Sequence, residues 1–236
     1  MVIFYTCMTG EHGFIPDITN EKRKDFKYIC FHENHPEAEL DKGWDYVNLV
    51  TDFDNSEHNL SDQKRQRMVK MLPHIFLPNH VYSIYLDPSY YVNKSFYDKC
   101  YDYIKKDVNF GICNRKRTFK EEIKQAYDNH KISSLEEYLV IKDHYKKLPK
   151  DRSFYSTNGS WIIRKKRDSV NTININWYKL FLGTYKERGL DQLLLPLVSP
   201  KKSIYFLDEK DLYDNCFEEP RVVNYEDPQI DKSLIL

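Results

Sequence analysis

Short apolar runs separated by helical segments constrain the fold of this 236-residue chain more than any other feature. Five runs in the first half are rich in β-branched or aromatic residues, which is typical of buried parallel strands. These runs are Val2–Tyr5, Tyr28–Phe31, Tyr46–Val50, Val81–Leu86 and Phe110–Cys113. Because helical segments separate them, the sequence predicts an α/β fold with a mostly parallel central sheet flanked by helices.

Helix signals lie between and after these runs. A helix is predicted over 61–72, where Pro73 stops it, and another over 134–146, where Ser134 and Glu137 form a capping box. Other predicted elements are helices over 95–104, 118–127 and 174–185, an apolar segment over 190–198, and strands over 161–164 and 203–206.

Charge narrows the possible partners. With 36 basic and 36 acidic residues, the net charge is zero and does not favour nucleic acid or a membrane surface. Residues 207–236 hold nine acidic and three basic residues, a net charge of minus six, which leaves plus six on the rest. That excess suits an anionic ligand, and it equally suits ordinary scatter with an acidic tail.

The cysteines and the N-terminal residues indicate the cellular compartment of the protein. Five cysteines at distant positions form no pair at zinc-binding spacing, which favours free thiols in a reducing compartment. The start, MVIFYTCMTG, lacks the basic region of a signal peptide, and no run approaches the roughly 20 apolar residues of a membrane helix. The sequence predicts a cytoplasmic protein without a transmembrane segment, from a viral or bacterial source.

Candidate site residues follow from the rule that open α/β sheets bind ligands beyond the carboxyl ends of their strands. The first strand leads into Thr6, Cys7 and Thr9, the second ends near Asn34, and the fourth leads into Asp87. A carboxylate directly after an apolar strand needs a cation or several donors. A divalent ion that bridges two phosphates is one such partner. The alternative is that Asp87 only begins a turn.

A basic stripe precedes this aspartate. Arg67, Lys70 and His74 are three and four residues apart, so we expect them to face roughly one way. Such a stripe near Asp87 would hold a pyrophosphate. The alternative is a solvated basic face, because Lys64 adds further charge to the same helix.

Acidic residues in the second half are candidates for proton transfer. Asp191, at the start of an apolar segment, would bind a substrate hydroxyl or take its proton, or it is only a helix cap. Glu121 and Glu122 follow a basic segment that includes Arg117, and their alternative role is local ion pairing. Neither HExxH nor GxSxG occurs, so zinc-hydrolase and serine-hydrolase chemistry have little support.

Taken in order, these segments resemble a glycosyltransferase-like family that includes the plant mucilage-related and turgor-regulation-defect proteins and their bacterial and viral relatives. The matching text is IFYTCMTG at 3–10, YICFHEN at 28–34, RMVKMLPHIFLPNHVYSIYLD at 67–87, NRKRTFKEE at 114–122, NGSWIIRKKR at 158–167 and LDQ at 190–192. The resemblance extends to about residue 200. Its most specific part is the spacing of Arg67, Lys70, Pro73, His74 and Asp87.

The resemblance implies a GT-A-like nucleotide-diphospho-sugar transferase fold. It implies metal-assisted transfer from a nucleotide-sugar donor, expected to be a UDP-sugar, to a saccharide or other hydroxyl acceptor, as in polysaccharide biosynthesis. The expected ion is Mn²⁺ or Mg²⁺. We expect a single domain over 1–236, with a nucleotide-sugar-binding half at 1–113, an acceptor-binding half at 114–206 and an acidic extension at 207–236.

The resemblance places Asp87 at the family's metal and diphosphate position, Arg67 and Lys70 at its basic pair, and Asp191 and Gln192 at its aspartate-glutamine motif. Adding the candidates from the strand ends and the charged segments, we expect the following roles. They are, at the donor, Thr6, Cys7, Thr9, Asn34, Arg67, Lys70, His74 and Asp87; at the metal, Asp87 and Ser89; at the acceptor, Arg117, Glu121, Trp161 and Gln192; and as catalytic residues, Asp191 and Glu122. Trp161 and Trp177 would stack on sugar faces, or they are core residues. The sequence also departs from the family pattern at the metal site. Ser89 stands where a full DxD motif has its second carboxylate.

Two other functions stay open. A catalytically idle module that binds nucleotide sugar or carbohydrate would keep the fold, and the incomplete DxD motif favours it. A metal-dependent phosphate-transfer enzyme also needs an aspartate at a strand end and basic phosphate ligands. Such enzymes usually have several carboxylates clustered in the sequence, whereas Asp87 has few carboxylates near it.

Overall fold

The computed structural model describes residues 1–10, 15–35, 38, 40–51, 60–77, 79–129, 131–132, 134–148, 154–185, 189–208, 210 and 216–218. Its strands are β1 (Val2–Met8), β2 (Phe26–His32), β3 (Asp45–Asn48), β4 (Tyr82–Leu86), β5 (Tyr91–Val92), β6 (Phe110–Asn114), β7 (Thr157–Lys165), β8 (Tyr205–Asp208) and β9 (Phe217–Glu218). Its helices are α1 (Asp62–Met71), α2 (Pro73–Phe76), α3 (Lys94–Lys105), α4 (Phe119–Asp128), α5 (Leu135–Lys146), α6 (Asp168–Thr184) and α7 (Leu195–Val198). Two 3-10 turns span Asp191–Leu193 and Lys201–Ser203.

One seven-stranded sheet forms the centre of the fold, in the order β3-β2-β1-β4-β7-β6-β8. β1 is parallel to β2 and β4, β2 is parallel to β3, and β6 is parallel to β8. β7 is antiparallel to both of its neighbours, β4 and β6. The predicted α/β class with a mostly parallel sheet is therefore confirmed. Strands from both predicted halves, 1–113 and 114–206, share this sheet.

The central strand β1 shows why a run of apolar residues forms this structure. Ile3 and Tyr5 pack into a hydrophobic cluster on one face of the sheet, and Phe4 and Met8 pack into a second cluster on the other face. Alternate side chains of a strand point to opposite faces, so an apolar run needs cover on both sides. Residues of α1 and α6 cover the first face, and residues of α3 cover the second.

Several predicted boundaries were wrong. β1 continues to Met8 rather than ending at Tyr5, and α6 begins at Asp168 rather than near 174. The last predicted strand, 203–206, is displaced to Tyr205–Asp208. Pro73 ends α1 as predicted and begins α2, since proline at a first helical position loses no hydrogen bond.

The structure bears on three further predictions, which concern the cysteines, membrane-spanning helices and the acidic extension. All five cysteines are buried free thiols. Within the described residues, no helix combines the length and the apolar composition that a membrane crossing requires. Most of the predicted acidic extension, 207–236, lies outside the described residues.

Candidate functional site

The carboxyl ends of β1, β2 and β4 meet at one edge of the sheet, as the sequence predicts. β7 begins at the same edge, because its Trp161 pairs with Leu86 near the end of β4. Asp87 follows directly, and its backbone N–H donates to the Ser160 carbonyl at 2.8 Å. This bond fixes Asp87 at the edge of the sheet.

Four charged side chains from three separate segments meet beside this edge. Lys70, in the last turn of α1, places Nζ 3.1 Å from Asp191 Oδ2 and 3.7 Å from Asp87 Oδ1. Arg67, one turn earlier in α1, places Nε 3.2 Å from Asp191 Oδ1. We call Arg67, Lys70, Asp87 and Asp191 the charged cluster. Its formal charge is zero.

The members of the charged cluster differ in exposure. The side chains of Lys70 and Asp191 are 1% exposed, whereas those of Arg67 and Asp87 are 14% and 24% exposed. Burial acts to raise the pKa of Asp191, but the positive charges of Arg67 and Lys70 outweigh it and hold that pKa below its usual range. Burial acts to lower the pKa of Arg67, but Asp191 and Asp87 outweigh it and raise that pKa. Asp191 is therefore held as a carboxylate, and Arg67 and Asp87 are the members open to a ligand.

Two neighbours fix the Lys70 ammonium in place. The ring of Tyr85 lies 5.2 Å from Lys70 Nζ, and the Tyr85 hydroxyl donates to Asp87 Oδ1 at 2.7 Å. On β7, a Cβ built on Gly159 would lie 2.9 Å from Lys70 Nζ and 3.4 Å from Asp191 Oδ2. Glycine at this position leaves the space that the ammonium fills.

Gly159→Ala is expected to displace the Lys70 ammonium and to lower the free energy of unfolding by about 1–3 kcal/mol, the usual cost of overpacking. Urea denaturation measures this loss. Gly183→Ala in α6 is the matched control, because a Cβ built there meets nothing within 4 Å. Alanine in a helix is favoured over glycine, so the control should gain up to about 1 kcal/mol. Equal stability of the two variants would contradict this packing.

Asp191 is held by its backbone as well as by its charge. It begins the 3-10 turn Asp191–Leu193, and its carbonyl accepts from Trp177 Nε1 at 2.7 Å. The N–H of Gly189, just before the turn, donates to Gln63 Oε1 of α1 at 3.0 Å. Trp177 is fully buried, so of its two predicted roles the core role is correct.

Arg164, a buried residue of β7, holds the end of α1. Its guanidinium donates to the carbonyls of Lys70 and Met71 at 2.6 and 3.5 Å, to Asn174 Oδ1 at 3.2 Å, and to the Tyr5 hydroxyl. Burial lowers the pKa of Arg164. A positive charge at a helix C-terminus is favourable, because the last carbonyls of the helix carry partial negative charge. The sequence did not point to this contact, which positions the backbone of Lys70.

The predicted Mn²⁺ or Mg²⁺ site at Asp87 and Ser89 does not fit the side chains that lie there. Ser89 is exposed, and the described part of the chain contains no group of three His, Cys, Asp or Glu residues arranged to hold an ion. The Lys70 ammonium already lies beside Asp87. A divalent ion about 4 Å from an ammonium would be repelled by about 8 kcal/mol at an effective dielectric of 20.

His74, the third residue of the predicted basic stripe, follows Pro73 in the short helix α2. Burial and the positive charges of Arg164 and Lys166 lower the pKa of His74. The predicted role of His74 at the donor stays a prediction.

The sequence predicts four donor-binding residues at the ends of the first two strands, and two of them, Thr6 and Cys7, are buried. The side chains of Thr6 and Cys7 lie inside the protein, because β1 continues to Met8, and burial raises the pKa of the Cys7 thiol well above its usual value. Both residues therefore belong to β1 rather than to the predicted loop, and their role at the donor stays a prediction. Thr9 lies beyond the strand end, and its hydroxyl donates to the Asp62 carbonyl at 2.7 Å.

Asn34 lies beyond the end of β2. Its backbone has a φ of 50°, the left-handed region that asparagine tolerates better than most residues. Its Oδ1 accepts from Asn48 Nδ2 at 2.7 Å. Asn34 thus links the loop after β2 to the end of β3.

The two predicted glutamates have different environments. Glu121 completes a capping box with Thr118 at the start of α4, which accounts for its position structurally. Glu122 is buried, its Oε1 accepts from the Ser156 hydroxyl, and the same oxygen lies 3.6 Å from Arg117 Nη1. Its Oε2 has no hydrogen-bond partner among the described residues. Glu122 and Arg117 therefore form a second polar group, next to the start of β7.

Trp161 does not reach a ligand. It is fully buried, with the rings of Phe96 and Tyr103 at 5.2 and 5.7 Å. This burial contradicts the predicted stacking on an acceptor sugar. Gln192 follows Asp191 of the charged cluster in the same 3-10 turn. Its side chain is buried.

No family model matches the sequence, and no curated protein matches it, so the resemblance to the plant mucilage-related and turgor-regulation-defect family stays a prediction. Among solved structures, the chain is similar to galactosyltransferase LgtC in complex with donor and acceptor sugar analogs, at 11% identity over 87% of this chain and 73% of that chain, with a TM-score of 0.47. An active-site mutant of LgtC matches at 11% identity over 87% and 72% of the two chains, with a TM-score of 0.46. Mouse xyloside xylosyltransferase 1 matches at 10% identity over 87% and 85%, with a TM-score of 0.46. All three are glycosyltransferases by name. Identities and TM-scores this low transfer neither an activity nor a residue's role to this chain.

Proposed function

We propose that this chain is a glycosyltransferase that moves a sugar from a nucleotide-diphosphate sugar, preferably a UDP-sugar, to a hydroxyl of a saccharide or similar acceptor. The charged cluster is the observation that supports this proposal. Its basic pair, Arg67 and Lys70, and its two aspartates come from distant segments and meet at the carboxyl edge of parallel strands. Open α/β sheets bind ligands at that edge.

Arg67 is the proposed ligand of the donor diphosphate. Its Nε faces Asp191, and the guanidinium carries further N–H donors that suit phosphate oxygens. Arg67 is also more exposed than Lys70. Arg67 would bind the departing diphosphate directly, and Lys70 would add positive charge from beneath it.

Asp87 is the proposed ligand of hydroxyl groups on the donor. It is the most exposed member of the charged cluster, and the Tyr85 hydroxyl fixes its Oδ1. A carboxylate accepts several hydrogen bonds, so hydroxyls of a sugar or ribose would complete its shell. This orientation would hold the donor in line for attack by an acceptor hydroxyl.

The environment of Asp191 favours a positioning role over a role as general base. A general base works best with a pKa near the operating pH, whereas the pKa of Asp191 is lowered by two cations. We therefore propose that Asp191 orients Arg67 and Lys70. Glu122, which lies beside Arg117 and Ser156, is then our alternative candidate for the base or for acceptor binding.

Arg67→Lys is expected to weaken nucleotide binding at least about 10-fold, which corresponds to the loss of one charge-assisted hydrogen bond. The variant keeps a positive charge beside Asp191 but loses the planar fork. Calorimetric titration with UDP, GDP, UDP-glucose, UDP-galactose and GDP-mannose measures the change. Lys64→Met, on the same helix outside the charged cluster, is the control and should leave the affinity unchanged. Equal effects of the two substitutions would remove Arg67 from the proposed donor site.

An idle binding module is the second candidate function. Ser89, in the place of a second carboxylate, favours it, because a site with fewer catalytic groups still binds a nucleotide. Retained nucleotide binding without release of nucleoside diphosphate in the presence of acceptors would support this candidate. A phosphate-transfer enzyme has weaker support, since the described residues bring together no group of three metal-ligating side chains.

A further inference from the structure

We propose that Lys70 takes the place of a divalent cation in this site, so that the charged cluster neither binds nor requires a metal ion. The inference rests on the proposed function, since it concerns how the same site would bind a donor diphosphate. It replaces an exchangeable ion with a cation that belongs to the chain.

The geometry around Lys70 is that of a bridging cation. One ammonium contacts carboxylates from two distant segments, Asp87 after β4 and Asp191 in the 3-10 turn, at 3.7 and 3.1 Å. A metal ion in such a site would be held by the same two carboxylates, because hard cations take oxygen ligands. Lys70 therefore already makes the connection that an ion would make.

The Lys70 ammonium is closely packed by its neighbours. The Tyr85 ring lies against the ammonium, and Gly159 approaches so closely that even one added carbon would lie 2.9 Å from Lys70 Nζ. A divalent ion needs room for itself and for several water ligands. The Lys70 ammonium contacts both Asp87 and Asp191, so it occupies the position that such an ion would need.

The charge of the site is already balanced. Asp87 and Asp191 are matched by Lys70 and Arg67, and three of these four side chains are at most 14% exposed. Adding a divalent ion would leave two unmatched positive charges in a largely buried site, which is unfavourable. Removal of Lys70 would reverse this balance and leave the aspartates in excess.

Titration with Mn²⁺ alone, followed by electron paramagnetic resonance of the free ion, tests this inference without any substrate. We expect the wild-type protein to show no Mn²⁺ site tighter than about 1 mM at Asp87. Lys70→Met should gain at least about 10-fold in Mn²⁺ affinity, because two carboxylates then share one cation. Lys70→Met combined with Asp87→Asn is the matched control and should lose that gain.

Two results of this titration would overturn the inference. One is a tight wild-type Mn²⁺ site that disappears in Asp87→Asn. The other is a folded Lys70→Met protein, shown by circular dichroism, that gains no affinity for Mn²⁺. If Lys70→Met does not fold, Lys70→Gln serves in its place, and the comparison of wild type with Asp87→Asn decides the point by itself.

A nucleotide titration in EDTA and in Mn²⁺ separates the inference from the proposed function. Equal affinity for UDP in the two buffers, within about 3-fold, supports both. Binding that is at least about 10-fold tighter in Mn²⁺ and loses this gain in Asp87→Asn overturns the inference and leaves the function standing. Absence of binding in both buffers counts against the function, while the Mn²⁺ titration still decides the inference.

Discussion

Asp191→Asn is expected to lower the free energy of unfolding by about 3–5 kcal/mol at pH 7, because removing one partner of a buried ion pair leaves the other charge uncompensated. Asp191 faces two cations, Lys70 at 3.1 Å and Arg67 at 3.2 Å, and its side chain is almost fully buried. Asparagine keeps the size of the side chain but removes its charge. Urea denaturation followed by circular dichroism measures the loss.

The cost of Asp191→Asn should depend on pH with a definite sign. The pKa of Asp191 is lowered in the folded protein, so its stabilisation is complete above the unfolded value of about 3.9 and is lost as the pH falls through the lower folded value. The difference between wild type and variant should be constant from about pH 6 to 8 and shrink below about pH 4. Asp143→Asn, in an exposed pair with Lys147, is the control and should have little effect at any pH. A difference that stays constant down to pH 2 would contradict this account of Asp191.

Arg164→Met is expected to lower the free energy of unfolding by about 2–4 kcal/mol, because buried acceptors lose their donor. The carbonyls of Lys70 and Met71 and the side chain of Asn174 all accept from this guanidinium. Methionine has a similar length but cannot donate. Burying a guanidinium is itself unfavourable, and the variant no longer has this penalty. The loss in the free energy of unfolding is therefore partly offset. Thermal and urea denaturation measure the remainder.

The effect of Arg164→Met should also be local. Arg164 holds the C-terminal turn of α1, so amide hydrogen exchange in that turn should become faster than the change in global stability explains. Arg167→Met is the control, because Arg167 pairs with Asp107 at the protein surface and should change stability little. If the two variants are equally stable and exchange alike, Arg164 does not position Lys70.

Part of the site was predictable because its signals are local. The position of Asp87 follows from a single apolar run, β4, that ends in a carboxylate. Arg67 and Lys70 share a face of α1 through helical spacing alone, and Pro73 marks where that helix stops. Such signals need no knowledge of distant parts of the chain.

The rest depends on contacts that the sequence does not encode locally. Arg164 belongs to the basic run 164–167, and only tertiary packing distinguishes this buried residue from the more exposed ones. A tryptophan such as Trp161 either stacks on a sugar or packs in the core, and the sequence does not distinguish the two. Its complete burial in the structure shows that it is a core residue. Gly159 and Lys70 also lie close together although they are far apart in the sequence, so local patterns do not predict their contact.

The end of β1 was mispredicted for a different reason. Thr6 and Cys7 are polar or small residues before a glycine, and this pattern is common in loops. Both suit a strand as well, since threonine favours extended structure and a buried thiol behaves as a small apolar group. Pairing with β2 and the apolar cover on both faces keep these residues in the strand.

Release of nucleoside diphosphate would distinguish a glycosyltransferase from an idle binding module and from a phosphate-transfer enzyme. The protein is incubated with UDP- and GDP-sugars and a panel of saccharide acceptors, and liquid chromatography separates UDP or GDP from sugar phosphates. We expect release of a nucleoside diphosphate from one donor, at a rate that rises with acceptor concentration, and we expect Asp87→Asn to abolish it. Wild-type protein that neither binds nor cleaves any of these donors, with or without Mn²⁺, would contradict it.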